Sequence, residues 1–317
     1  MAGKHYFSPH GGAQRTTVMT QQWSTLIALA MLTAVAVLAL SCGGSETGSP
    51  IAPTSSQTTT VAHELGICGV TTFESLQRPT LLPIVIPEGD PMYGVGFHYC
   101  MKVFGASMWA VEKFSEPLLR HVASIAAEYL DNNEDGVVDD SSVNAALVDN
   151  YAAMYLVDEF DKFSKFDMSD SSAIHRMKTT VAQHSGETHP QALLTDDVTL
   201  EEVLHLIQLA GYGVAYPALR AQTADGPLPN NLLTDAMRIA QQNGDYTRFD
   251  SAAGLEYFYW GLTTLLGAQS LPGSHCARAG EYKLCTPAEL QARNPTFYAL
   301  LTNPSYKLPT RLPDGRY

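Results

Sequence analysis

Basic residues are scarce in this sequence. The 317 residues include 19 lysines and arginines against 32 aspartates and glutamates, a formal net charge of −13 at pH 7. A surface of that sign repels nucleic acid and anionic lipid and tends to attract cations. The sequence also contains neither a glycine-rich phosphate loop nor a G-x-S-x-G nucleophile elbow. We therefore predict no nucleic-acid partner and look first for cation sites.

Long apolar runs are also missing, apart from one near the amino terminus. The run from Leu26 to Leu40 is 15 residues broken only by Thr33, too short to cross a bilayer comfortably and typical of a signal-peptide core. We predict that residues 1–41 are a signal peptide. The residues ALSC, from Ala39 to Cys42, span the end of this segment and the first residue after it. They resemble the lipobox of bacterial lipoproteins, which implies that Cys42 is lipidated and anchors the protein in a membrane of the cell envelope. Plain secretion is the alternative.

The chain after the predicted signal peptide divides into a tether and a folded part. Residues 42–60 are rich in Ser, Thr, Pro and Gly and cannot bury enough apolar surface to offset chain entropy, so a flexible tether is predicted. Residues 61–317 are long enough for one globular domain with a substantial core. Its proline-rich ending, NPSYKLPTRLPDGRY, predicts an extended arm along the surface.

Five cysteines are present, and four remain when Cys42 is set aside. An even number in an exported protein favours disulfides over thiol chemistry. Cys276 and Cys285 close a short glycine-containing loop and are predicted to pair, which leaves Cys68 with Cys100. The spacing does not exclude the other two connectivities.

The hydrophobic period favours helices. The predicted helices are Met108–Leu130, Ser141–Asn150, Leu200–Ala210, Asn231–Gln242, Ala252–Gln269 and Pro287–Leu301, with Ser251 and Thr286-Pro287 as caps. The predicted strands are Leu82–Ile86 and Ala152–Val157. The fold class that follows is predominantly α with a small β component (α+β).

A short acidic segment, DNNEDGVVDD, directly follows the predicted helix that ends at Leu130. It resembles an EF-hand loop over residues 131–142, with Gly136 at the sixth position, where the chain must turn sharply. The resemblance implies Ca²⁺ ligands at Asp131, Asn133, Asp135, Val137 (through its carbonyl) and Asp139. Position 12 is Ser142 instead of the usual bidentate Glu; Asp140 could compensate, as in the shortened loops of dockerin-like and thrombospondin-type repeats. The alternative is an acidic, solvated turn; a bound Ca²⁺ would be structural.

A second set of polar residues lies on the apolar helix TLEEVLHLIQLAGYGVAYP. Glu201 and His205 are spaced i, i+4, so their side chains project together from consecutive turns. This spacing resembles the H-E-x-x-H helix of zincin metallopeptidases, with Glu201 in the place of the first histidine. The resemblance implies that Glu201 and His205 bind a metal and that Glu202 is the general base of hydrolysis.

A gluzincin takes its third ligand from a glutamate on a later helix. The segment Ser251 to Gln269 holds one charged residue, Glu256, and a carboxylate in so apolar a helix is costly unless it is paired or binds a cation. The resemblance implies a centre of Glu201, His205 and Glu256 with a zincin-like helical architecture. A metal distance of about 2 Å requires these three side chains to converge within ~5 Å.

Two carboxylates and one imidazole form a harder, more anionic site than two imidazoles and one carboxylate, so Mn²⁺ and Fe²⁺ are predicted alongside Zn²⁺. The function that follows is an exported, calcium-stabilised metallohydrolase acting on a peptide or protein substrate. The alternative is a non-catalytic calcium-binding surface lipoprotein that serves in adhesion or envelope scaffolding. A further alternative is no transition metal at all, with Glu201 and His205 as an exposed pair and Glu256 hydrogen-bonded to a tyrosine.

Weaker candidates surround these two sites. His184 and His189 could bind a metal, although their spacing suits a loop, and Tyr212 and Tyr216 could stabilise an oxyanion. The combination of YLDNNEDG, LEEVLHLI, EYFYW and YKLPTRLPDG also resembles an uncharacterised family of exported proteins, which implies no particular activity.

Overall fold

The computed structural model describes residues 66–158, 177, 179–193, 195–222, 228–274, 276 and 280–317. The predicted signal peptide, Cys42 and the tether lie outside these residues. Within the described part of the chain, no helix combines the length and apolar character needed to cross a bilayer.

A mixed five-stranded sheet forms one side of the core. Its strands lie in chain order: β1 Ile84–Val85, β2 Phe97–Val103, β3 Ala106–Val111, β4 Ala153–Val157 and β5 Thr180–His184. β1 to β3 pair antiparallel, and β3 to β5 pair parallel. All residues of β3 and β4 are buried, as expected for strands covered on both faces.

Eight α-helices of five or more residues occur in the described residues, and they confirm the predominantly α prediction. They are α1 Pro91–Val95, α2 Glu116–Leu130, α3 Ser141–Asp149, α4 Thr199–Ile207, α5 Leu232–Gln242, α6 Ala253–Leu265, α7 Pro287–Arg293 and α8 Pro295–Leu301. A π-helical segment, Gln208–Tyr212, and a short turn, Gly213–Ala215, continue α4. Helices α2 and α4 pack against each other and on the sheet, while α6 packs between α4 and the α5, α7 and α8 group.

The predicted start of one helix, at Met108, is wrong. Met108 lies in strand β3, and α2 begins at Glu116. Pro117 is at the first turn of α2, a position that tolerates its missing N–H, whereas inside a helix running from Met108 it would have broken the hydrogen-bond ladder. Strand β2 and strand β5 were not predicted at all.

Other boundaries moved for local reasons. The predicted last helix is two helices, because Asn294 ends α7 and caps α8, where its side chain accepts a hydrogen bond from the Phe297 amide. Strand β1 is two residues long, with Pro83 before it and Pro87 shortly after it. The predicted cap at Thr286 is present, and the structure shows that it forms a capping box with Glu289, whereas Ala252 rather than Ser251 is the N-cap of α6.

Two disulfides cross-link the described chain. Cys68 pairs with Cys100 of β2, and Cys276 pairs with Cys285, the pairs that the spacing favoured. Disulfides of this kind form in oxidising compartments, so they indicate a non-cytoplasmic protein.

Candidate metal centre

Helices α4 and α6 bring the three predicted metal ligands together. α4 buries Leu200, Val203, Leu204 and Leu206 and must therefore be covered on nearly all sides. α6 provides part of that cover. A Cβ at Gly254 would collide with the Ala221 carbonyl oxygen, so a glycine here allows the first turn of α6 to lie against the chain that follows α4.

Glu201, His205 and Glu256 each present one ligand atom within 4.8 Å of the others. Among the described residues, this is the one group of three His, Cys, Asp or Glu side chains with that geometry. The convergence meets the ~5 Å requirement set from the sequence. Donors about 2.1 Å from a tetrahedral ion lie about 3.4 Å apart, so a small inward rotation of the side chains would complete a site.

The imidazole of His205 lies between two carboxylates. Its Nε2 is 3.9 Å from Glu256 Oε2, and its Nδ1 is 3.5 Å from Glu202 Oε2. Yet neither ring nitrogen makes a hydrogen bond within the described structure, although His205 is 1% exposed. Buried polar atoms normally have a hydrogen-bond partner, so the hydrogen-bonding capacity of these two nitrogens is not used by the described residues.

Burial and like charge shape the protonation of the cluster. Burial raises the pKa of Glu201 well above its usual range, and the nearby carboxylates of Glu256 and Glu202 add to this shift. For His205, burial lowers the pKa, but Glu256 and Glu202 outweigh it and raise the pKa overall. The metal-free cluster therefore holds protons that a bound cation would displace.

The structure adds two residues that sequence reasoning missed. Arg248 Nη1 is 2.9 Å from Glu256 Oε1, an ion pair whose angle falls short of a hydrogen bond. Tyr259 packs edge-on against His205, with ring centroids 6.1 Å apart. Tyr259 lies three residues after Glu256 on the same helix, so helical spacing could have found it. No local signal pointed to Arg248, which precedes α6 in a loop.

The weaker candidates do not join the cluster. The Tyr216 hydroxyl donates to Asp140 of the acidic loop. The Tyr212 hydroxyl donates to the Lys307 carbonyl 3.4 Å away, and the Lys307 ammonium donates to the Asp139 carbonyl of that loop. His184 accepts a hydrogen bond from the Gly186 amide. Burial raises the pKa of Glu187, and His184 and His189 oppose this shift, so these histidines neighbour a carboxylate outside the centre.

The predicted calcium loop is organised differently. Asp131 is fully buried and accepts hydrogen bonds from the amides of Asp135 and Gly136 and from the hydroxyl of Tyr317. Gly136 has φ +91°, the left-handed backbone that the sharp turn requires. The Asn133 side chain accepts from the Asp135 amide. The loop therefore satisfies much of its carboxylate capacity with its own chain, and calcium binding there stays a prediction.

Two later loop positions are also engaged. Asp139 Oδ2 accepts from the Asn132 amide, and Asp140 Oδ1 caps α3 by accepting from the amides of Ser142 and Val143. Capping commits this oxygen of Asp140, which the sequence suggested as a substitute for the missing Glu at position 12. Val137 is exposed, and its amide donates to Asp135.

The carboxyl-terminal residues bind along α2 and this loop. Glu128 accepts hydrogen bonds from three consecutive amides, of residues 314–316, at 2.6 to 2.9 Å. Asn132 accepts from the amides of Thr310 and Arg311. The end of the chain thus covers the last turn of α2 and the start of the acidic loop.

No protein-family model, no curated protein and no solved structure matches this chain. The resemblance to zincins therefore stays a prediction, carried by the cluster geometry alone.

Proposed function

We propose that this chain is an exported metalloprotein that binds one divalent transition metal through Glu201, His205 and Glu256 and hydrolyses an amide bond in a peptide or protein. The observation that carries the proposal is the buried imidazole of His205. Both of its nitrogens lack a hydrogen bond in the described structure, and two candidate ligand carboxylates converge on the same space. A cation would replace the long 3.9 Å contact between Nε2 and Glu256 with ligand bonds to both groups and would neutralise the carboxylates.

The donor set fits such an ion. One imidazole and two carboxylates suit Zn²⁺, Mn²⁺ or Fe²⁺ and leave coordination positions free for water and substrate. When bound, such a cation polarises a carbonyl group and lowers the pKa of water toward about 7. Glu201 is the most exposed of the three ligands, so we place the approach of substrate on its side of the cluster.

Glu202 has two separable roles. The zincin resemblance makes its carboxylate the general base that accepts a proton from the hydrolytic water. The geometry favours a positioning role, since Glu202 faces Nδ1 while Glu256 faces Nε2. A carboxylate at the outer nitrogen of a metal-binding histidine fixes the ring and its tautomer. Both roles require a bound cation. They differ in how the affinity for the metal changes when the charge of Glu202 is removed.

Metal analysis of the purified full-length protein tests the proposal. After dialysis against buffer with trace metals, elemental mass spectrometry should find a transition metal near one per chain. A chelator should remove it, and any cleavage of a peptide library should stop and return when Zn²⁺ or Mn²⁺ is added. Calcium alone, with no cleavage, would contradict the enzyme and favour the non-catalytic scaffold.

A further inference from the structure

Arg248 lies directly against the proposed centre. Its Nη1 contacts Glu256 Oε1 at 2.9 Å, while the other oxygen of the same carboxylate faces His205 Nε2 at 3.9 Å. Glu256 therefore bridges a permanent cation and the metal-binding imidazole. The Glu256 side chain is 3% exposed and that of Arg248 is 20% exposed, so the guanidinium lies toward solvent from the carboxylate.

Groups outside the cluster hold Arg248 in place. Its Nε donates to both carboxylate oxygens of Asp250, at 2.9 and 3.0 Å, and its carbonyl accepts from Gln241 Nε2 at 2.6 Å. Glu281 lies 3.8 Å from Nη1 and accepts a hydrogen bond from Trp260 Nε1. Asp250 and Glu281 therefore hold the guanidinium, and Gln241 holds the backbone that carries it, without any contribution from a metal ion.

The charges make Arg248 a competitor of the metal. Guanidinium stays protonated in proteins, so Glu256 has a counter-ion whether or not a metal is present. A divalent ion that shares Glu256 with Arg248 is repelled by it across a few ångströms of poorly solvated space. The same pairing lowers the cost of burying Glu256 when no metal is bound.

We propose that Arg248 is the resident counter-cation of this centre: it stabilises the metal-free cluster and sets its affinity for divalent cations below what the three ligands alone would give. The inference rests on the proposed metal centre and concerns its regulation. A role in binding a substrate carboxylate is disfavoured, because Asp250, Glu256 and Glu281 already surround the guanidinium.

Metal titration of the full-length protein tests the role of Arg248. The variants are Arg248→Met, which removes the charge, and Arg248→Lys, which keeps it. Arg248→Gln keeps a hydrogen-bond donor without the charge and replaces Arg248→Met if that variant does not fold. Arg238→Met is the matched control, because Arg238 also pairs with a carboxylate, Asp235, but on the exposed face of α5. The dissociation constants for Zn²⁺ and Mn²⁺ are measured by competition with a chromophoric chelator at fixed pH.

We expect Arg248→Met to bind both ions roughly tenfold to a hundredfold more tightly than wild type, with Arg248→Lys and Arg238→Met close to wild type. Without metal, Arg248→Met should unfold at a lower urea concentration, and saturating Zn²⁺ should remove that difference. If wild type binds but Arg248→Met binds equally or more weakly, the counter-cation role is wrong while the metal centre survives. If neither protein binds, both the centre and the role of Arg248 are refuted.

Discussion

The acidic loop at residues 131–142 and the cluster at Glu201, His205 and Glu256 both concentrate oxygen ligands, but the chain treats them in opposite ways. In the loop, Asp131 accepts hydrogen bonds from two backbone amides and a tyrosine hydroxyl, and Asp140 caps a helix. In the cluster, His205 makes no hydrogen bond within the described structure, and Glu256 Oε1 has only the poorly aligned contact with Arg248.

The difference shows why a sequence motif and a ligand site are not the same thing. Acidic residues at regular loop spacings can be stabilised by the backbone of the loop itself, which lowers the demand for a cation. The cluster carboxylates have no such donors of their own in the described structure, because the amides of Glu201 and Glu202 bond to the Val198 carbonyl and that of Glu256 bonds to the Ala252 carbonyl. The cluster therefore points to an absent partner more strongly than the loop does, although the loop matches its motif better.

Among the changes that test this difference between cluster and loop, Glu256→Gln should have the largest effect on metal binding. The amide keeps the volume of the side chain but is a poor metal ligand, so transition-metal affinity should fall at least ~100-fold and any hydrolysis should stop. Glu128→Gln is the matched control, because Glu128 is also a buried helix carboxylate but bonds the amides of residues 314–316 and does not belong to the cluster. Isothermal titration with Zn²⁺ checks both. A change in stability with unchanged metal binding would mean that Glu256 is only a buried polar residue.

Glu202→Gln separates the two roles of Glu202. If Glu202 positions the imidazole, metal affinity should fall by ~10- to 100-fold. If it is only the general base, affinity should stay near wild type while turnover falls by ~10²- to 10⁴-fold. The distances favour the first result. Glu116→Gln, a change of an exposed carboxylate on α2 that pairs with Arg120, should affect neither quantity, and a loss of affinity in that control would show that the protein responds to charge in general.

Much of the fold could be predicted from the sequence because helix signals are local. Asn231 and Thr286 mark helix starts by their own side-chain hydrogen bonds. Strands β2 and β5 escaped prediction because a strand is stabilised by partners distant in sequence. The false start at Met108 arose because a fully buried central strand and a buried helix segment have the same apolar composition. The proline at position 117 carried the correct signal.

The candidate site divides in the same way. Glu201 and His205 could be paired from spacing on one helix, and Glu256 stood out as a charge in an apolar segment. Arg248 could not be found, because its position depends on how the loop before α6 folds back onto that helix. The bonding of Asp131 to Tyr317 was equally inaccessible, since the two residues are 186 positions apart.

Asp131→Ala should show how much of the loop depends on calcium. The structure predicts a loss of about 3 kcal/mol even in chelator, because two amides and the Tyr317 hydroxyl lose a buried acceptor. If Ca²⁺ also binds, wild type should be further stabilised by added Ca²⁺ and the variant should not. Thermal unfolding of both proteins in EGTA and in Ca²⁺ gives the two contributions. If the variant melts below wild type by the same amount in EGTA and in Ca²⁺, the loop is stabilised by the polypeptide alone and calcium binding there is refuted.

The pH dependence of stability gives the smallest effect and tests the cluster without a metal. Burial, reinforced by Glu256 and Glu202, raises the pKa of Glu201 above the usual 4.5, so the folded metal-free protein binds more protons than the unfolded chain once the pH exceeds that value. Stability must then fall as the pH rises toward the elevated pKa, by at most about 1.4 kcal/mol per pH unit for one proton. Urea unfolding at a series of pH values should show this slope in chelator.

Glu201→Gln should flatten it, and Asp139→Asn, which removes a loop carboxylate, should leave the cluster contribution in place. Saturating Zn²⁺ should reverse the cluster contribution, because the metal competes with the protons and binds more tightly as the pH rises. An identical slope in wild type and Glu201→Gln would mean that the cluster carboxylates are not coupled, and the contrast with the loop would lose its electrostatic basis.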